Sequence, residues 1–127
     1  MTKEERRLLL VDLCSRLPYG VKVRRPDDGT PDYVSAIDAE TGELMVMYNG
    51  YTDEIEKFVP YLRPMSSMTE EEKKEYNKVM FQAERYEDDY AADVDWLNKH
   101  NFDYRGLIER KLAIDVTKDS NPYEQSK

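Results

Sequence analysis

Leu9, Leu10, Leu13, Cys14 and Leu17 recur at helical intervals behind Thr2 and Glu5, whose spacing is that of a capping box, until Pro18 closes the run. The pattern predicts an amphipathic helix over residues 3–17, with Cys14 on its apolar side as a small buried hydrophobe. From Tyr19 to Arg25 the period changes to two: Val21 and Val23 alternate with Lys22 and Arg24, as in a half-buried strand. Pro26 to Pro31 is loop chemistry, and Tyr33 to Asp38 and Glu43 to Tyr48 read as two further strands joined by a turn ending at Gly42. These three strands predict an antiparallel meander, able to curl toward a small barrel-like sheet. Such a sheet is marginal alone and needs helices against its apolar face.

After the turn pair Asn49-Gly50, residues Asp53 to Phe58 suit one helical turn or a short edge strand. Pro60 and Pro64 hold Tyr61 to Met68 in an irregular or extended path, a strap across the sheet. Thr69 and Glu72 form a second capping box, opening a helix over about 70–86 with Tyr76, Val79, Met80, Ala83 and Tyr86 on one face. A third helix, about 89–99, carries Tyr90, Val94 and Leu97; Asp103 is placed to cap a short fourth over Tyr104 to Lys111, after which Leu112 to Val116 runs extended. Trp96 to Ile114 gathers the only Trp, the only His, a Phe and a Tyr beside aliphatic residues, which makes it the predicted anchor of the core. The prediction is one α+β domain over 1–116, an N-terminal helix and meander with C-terminal helices packed on it. The tail 117–127 is expected to fray.

Composition narrows the functional classes. The chain has 127 residues, 36% of them charged and 39% hydrophobic, which suits a single domain with a thin core. A net charge of -8 repels nucleic-acid phosphates and anionic membranes as a whole. The charge is segregated, however: seven basic groups and three acids fall in residues 1–25, ten acids and four basic groups in 70–95. One cysteine allows no internal disulfide, and no stretch approaches the ~20 apolar residues that span a bilayer. The cytoplasm is the expected compartment, with no membrane partner.

Catalytic and metal chemistry find little support. One His and one Cys, far apart in sequence, give no zinc spacing. Asp88, Asp89, Asp93 and Asp95 lack the alternation and central Gly of a calcium loop, and read as a solvated acidic face. His100, in Asn-Lys-His-Asn, reads as a helix-end residue before a general base. No Gly-rich phosphate loop, nucleophile elbow or dinucleotide fingerprint occurs. The expectation is a non-enzyme with no catalytic residues, cofactor or metal. A partner protein would be met by the strap residues Tyr61, Arg63 and Met65 and by the acidic residues Asp88, Asp89 and Asp93. The alternative, a nucleic-acid-associated factor, would use a basic edge of Lys22, Arg24 and Arg25, a weak patch with one aromatic in its quarter of the chain.

Three words of the chain, Leu17-Pro-Tyr-Gly-Val-Lys-Val23, Pro60-Tyr-Leu-Arg-Pro-Met-Ser-Ser-Met-Thr-Glu-Glu-Glu72 and Trp96 to Ile114, carry a resemblance. In them the chain resembles a group of small uncharacterised proteins from gut Bacteroidetes that look like products of prophages and other mobile elements. The resemblance implies a bacterial, cytoplasmic, mobile-element setting and supplies no catalytic or binding residue. The functional expectation is a non-catalytic protein-interaction or accessory module of a phage or mobile element.

Overall fold

A computed structural model describes residues 1–38, 45–85, 92–118 and 121–124. The first capping box forms as its spacing predicts. Thr2 Oγ1 accepts the Glu5 N–H at 3.1 Å, Glu5 Oε1 accepts the Thr2 N–H at 2.9 Å, and helix α1 runs Lys3–Arg16. Leu9 and Leu13 of the expected face go fully inward and Leu10 and Leu17 pack against the same cluster, but Asp12 and Arg16 are buried beside them and Cys14 is exposed. A pattern of apolar positions passes over Asp12 and Arg16 because both are charged, and it places Cys14 inside because that residue is small and apolar.

The expected strand Tyr33 to Asp38 is split between two sheets. Its first residue belongs to β2 (Pro31–Tyr33), which pairs antiparallel with β1 (Lys22–Arg24). Its last three form β3 (Ala36–Asp38), which pairs with β4 (Met45–Tyr48). Between them the Val34 N–H donates to Val21 and the Ser35 N–H to Met47, so the chain steps from one sheet to the other within two residues.

An antiparallel meander of three strands is present, and its order is β3-β4-β5, with β5 at Tyr51–Glu54. The β4–β5 hairpin turns on Asn49 and Gly50, both at positive φ (45° and 82°), as a two-residue primed turn requires. β5 escapes an alternation test because it is an edge strand whose residues Tyr51, Thr52 and Glu54 are exposed. β1, the expected first strand of the meander, lies in the other sheet, and neither sheet closes into a barrel among the described residues.

That second sheet is built on the proline segment. β6 (Val59–Pro64) pairs antiparallel with β1 and parallel with β7 (Phe102–Asp103) and β8 (Ile114–Asp115). The expected strap is therefore a strand inside the sheet. Pro60, opposite Val23, has no N–H, and the parallel ladder begins only at Tyr61. The parallel pairings require a crossover, made by α2 (Glu70–Arg85) and α3 (Ala92–Lys99).

The fourth helix expected over Tyr104 to Lys111 is a series of turns. Asp103 does cap it, its carboxylate accepting the Leu107 and Ile108 N–H groups at 2.9 Å each, but Gly106 stands at φ 77° and breaks any helical run.

Three apolar clusters fill the interior. The largest joins α1 to both sheets through Leu9, Leu13, Val21, Val23, Val46, Ile55 and Phe58. A second gathers Leu62, Leu107, Leu112 and Ala113. The third is the aromatic anchor: Trp96 is 7% exposed, stacked on Phe102 at 5.7 Å and packed by Tyr76 and His100. Within α1 the fully buried Asp12 and Arg16 form a bidentate pair at 2.9 and 3.0 Å. Arg16 also donates to the Phe102 carbonyl at 2.6 Å, and Arg105 reaches Asp12 at 2.9 Å.

Candidate functional site

The end of β6, the first turn of α2, the last turn of α3 and residues 116–117 and 121–124 surround a cleft of about 880 Å³. Such a volume is within the usual range for a ligand site. One wall is Arg63 and Glu72. Arg63 Nη1 and Nη2 donate to the two Glu72 oxygens at 2.8 and 2.7 Å, and its guanidinium lies over the Phe102 ring at 4.1 Å. Glu72 closes the second capping box as well, accepting the Thr69 N–H while its own N–H donates to Thr69 Oγ1. Arg63 first, and the Thr69 N–H behind it, hold the Glu72 carboxyl at a pKa of about 2.

The second wall is the end of α3. His100 packs on Trp96 with ring centroids 4.3 Å apart and planes tilted by 40°, and burial lowers its pKa below the usual value, so the ring is neutral at pH 7. Among the described residues the imidazole makes no hydrogen bond to a carboxylate: Glu72 is taken by Arg63 and Thr69, and Glu75 accepts the Trp96 indole N–H at 3.1 Å. Lys99 is exposed at the rim and has no ion-pair partner among the described residues. Asn101 follows at φ 59°, the left-handed position that ends a helix. It lines the cleft and is 6% exposed, and its Oδ1 is buried with no hydrogen-bond partner among the described residues.

The third wall comes from the segment expected to fray, where residues 121–124 dock against the sheet. The Tyr123 hydroxyl accepts the Lys22 N–H at 2.9 Å and donates to the Tyr61 carbonyl at 2.8 Å, bridging β1 and β6 one rung past the Val23–Pro60 pair. The Lys22 ammonium donates to the Pro122 carbonyl at 2.7 Å. Burial pushes the Tyr123 phenol up, which keeps it a donor at neutral pH. A lone Tyr in a polar tail carries no periodic signal, and sequence reading has no means of finding this contact.

The residues assigned to a partner from sequence are not gathered in one place. Tyr61 is 7% exposed, so its ring belongs to the interior and does not form a partner surface. Arg63 borders the cleft, Met65 is 38% exposed in the turn beyond it, and Asp93 is half-buried in the first turn of α3. Asp88 and Asp89 lie outside the described residues. On the basic edge, Arg25 is tied to Asp27 and Asp28, Lys22 to the tail, and Arg24 alone of the three is exposed. Among the described residues no three His, Cys, Asp or Glu converge to hold a metal, and no helix is long and apolar enough to cross a membrane. Comparison of the chain with protein-family models, with curated proteins and with solved structures finds no match.

Proposed function

We propose that this chain is a non-catalytic protein-interaction module, an accessory factor of a phage or other mobile element acting in the bacterial cytoplasm. The setting rests on the three sequence words that resemble Bacteroidetes mobile-element proteins. The interaction reading is carried by one observation: the only His of the chain lines an open polar cleft, yet it makes no hydrogen bond to a carboxylate among the described residues, Glu72 and Glu75 being bonded elsewhere. A general base is held in place by an orienting partner, and here the ring, though neutral as a base must be, packs on Trp96 and has no carboxylate bonded to it among the described residues. What the cleft does offer is hydrogen-bonding surface framed by rigid elements, the usual setting for recognition.

The basic-edge alternative, a nucleic-acid-associated factor, draws less support, because two of its three cations are engaged within the chain. It predicts DNA or RNA binding that is steeply salt-dependent and lost in Arg24→Glu with Arg25→Glu. Retention of a saturable partner from bacterial lysate at physiological salt is the expected result for the interaction reading. An empty pull-down together with turnover of a metabolite in an activity screen overturns it.

A further inference from the structure

We infer that Asp32 and Asp53 guard the two exposed sheet edges. Each turns its carboxylate onto the outward N–H of the next residue, so that a second copy of the chain cannot add its strand there. The inference goes beyond the interaction reading above and does not depend on it.

An exposed edge strand offers unpaired N–H and C=O groups in a row, a template for pairing with another chain. Of the strands at the margins of the two sheets, β2 and β5 carry exposed residues, whereas β3, β7 and β8 are half-buried or buried. On β2 the Thr30 carbonyl accepts the Arg25 N–H and the Val34 N–H donates to Val21. Residues 30, 32 and 34 therefore face β1, and Pro31 and Tyr33 face outward. Pro31 has no N–H to offer. The Tyr33 N–H donates to Asp32 Oδ1 at 2.8 Å, which leaves β2 no free outward donor.

On β5 the two-residue turn makes Tyr48 and Tyr51 the closing hydrogen-bonded pair, so Tyr51 and Asp53 face β4 while Thr52 and Glu54 face outward. The Glu54 N–H donates to Asp53 Oδ1 at 2.8 Å, and the same oxygen takes the Lys57 ammonium at 3.1 Å, which fixes the carboxylate. Thr52 keeps the one outward N–H of the two strands with no partner among the described residues. A ladder needs donors at alternate residues, and a single donor does not extend it.

The same contact thus closes two edges that belong to different sheets. Asp is among the residues depleted in strands, and its presence in both edge strands costs the sheets β-propensity. Protection of the edge is what that cost supports.

The test is sedimentation velocity on the full chain over a concentration series. Asp53→Ala frees a second donor two residues from Thr52, and is expected to self-associate at least about tenfold more tightly than wild type. Asp53→Asn removes the charge but keeps the accepting oxygen, so it should behave as wild type. Thr52→Pro added to Asp53→Ala removes an outward donor and leaves the β4 ladder intact, and should reverse the gain. Pro31→Ala with Asp32→Ala opens the other edge and should also tighten association, which makes β2 a separate trial in a different sheet. An unchanged exchange rate at the Val46 amide shows that each variant keeps its sheet.

Association of Asp53→Ala no tighter than wild type, an Asp53→Asn variant that associates like Asp53→Ala, or a gain that survives Thr52→Pro each overturns the inference. Wild-type association that Thr52→Pro abolishes overturns it as well, because the β5 edge would then be open already.

Discussion

Helices α1 and α2 begin with the same device and are used in opposite ways. Each opens with Thr as N-cap and Glu three residues on, with both hydrogen bonds of the box made. α1 then drives Leu9, Asp12, Leu13 and Arg16 fully inside, whereas none of residues 70–81 of α2 is buried. The stability of α1 comes from tertiary burial, and its cap is a local detail. α2 lies on the aromatic anchor through the half-buried Tyr76 and Val79, and its cap Glu72 is also its strongest polar tie to the sheet. A single local motif therefore carries little weight at one end of the molecule and much more at the other.

The largest expected effect is at the buried pair of α1. Asp12→Ala leaves the Arg16 guanidinium, whose Nη1 has no partner among the described residues, as an uncompensated buried charge beside Arg105, and should cost about 3–5 kcal/mol in a denaturant titration. Asp12→Leu combined with Arg16→Met should recover most of that loss, because the two desolvation penalties go with the two charges. A single Asp12→Ala cost below about 1 kcal/mol would show that α1 is not anchored where its burial places it.

The same pair explains what could be read from the sequence. Both caps, the helices they open and the β4 strand were legible because each carries its signal locally, whereas of the expected extended run Leu112 to Val116 only Ile114–Asp115 is strand. Trp96, Phe102 and Leu107 were legible as core because bulky rings and aliphatics have few alternatives to burial. The buried Asp12 and Arg16 beside Leu9 and Leu13 on α1 were not, because an ion pair that only tertiary partners neutralise has no apolar signal, and Cys14 was misplaced inside for the opposite reason. The cut at Val34–Ser35 and the exposed β5 depend on which sheet each segment joins, which short-range periodicity does not encode. The cleft was the least legible feature: Arg63 was named for its setting in the proline segment, while Asn101 and Tyr123 matter only through contacts with residues 38 to 101 positions away.

At α2 the comparison is sharpened by pH. Glu72 has its folded pKa depressed to about 2, from an unfolded value near 4.5. Its stabilisation is therefore fully present above about pH 4.5 and lost as the pH falls toward 2. Glu72 is 19% exposed, and its pairing contributes on the order of 2 kcal/mol at neutral pH. Glu72→Gln should lower stability by about that amount at pH 7 and by much less at about pH 2. The wild-type acid transition over this window should shrink accordingly. An equal loss at both values would mean that the Arg63 contact is not what depresses the carboxyl.

The tail contact ranks next. Tyr123→Phe removes the hydroxyl that bridges the Lys22 N–H and the Tyr61 carbonyl, and should cost about 1 kcal/mol. Faster hydrogen exchange at the Lys22 amide, with the Val46 amide in the other sheet unchanged, would locate the loss at the β1–β6 boundary.

The smallest effects fall on the caps themselves, and their difference tests the comparison most directly. Thr2→Ala frees one turn-end N–H on a helix whose buried face begins two turns further on, so about 0.5–1 kcal/mol is expected. Thr69→Ala frees the equivalent N–H but also loosens the carboxylate that holds Arg63 over Phe102, so its cost should exceed that of Thr2→Ala by roughly 1 kcal/mol. In the Glu72→Gln background the charged pair is already gone, and Thr69→Ala should cost no more than Thr2→Ala does. If the two caps cost the same in wild type, the α2 box is as local as that of α1, and the attachment of α2 to the sheet must rest on Tyr76, Val79 and Trp96 alone.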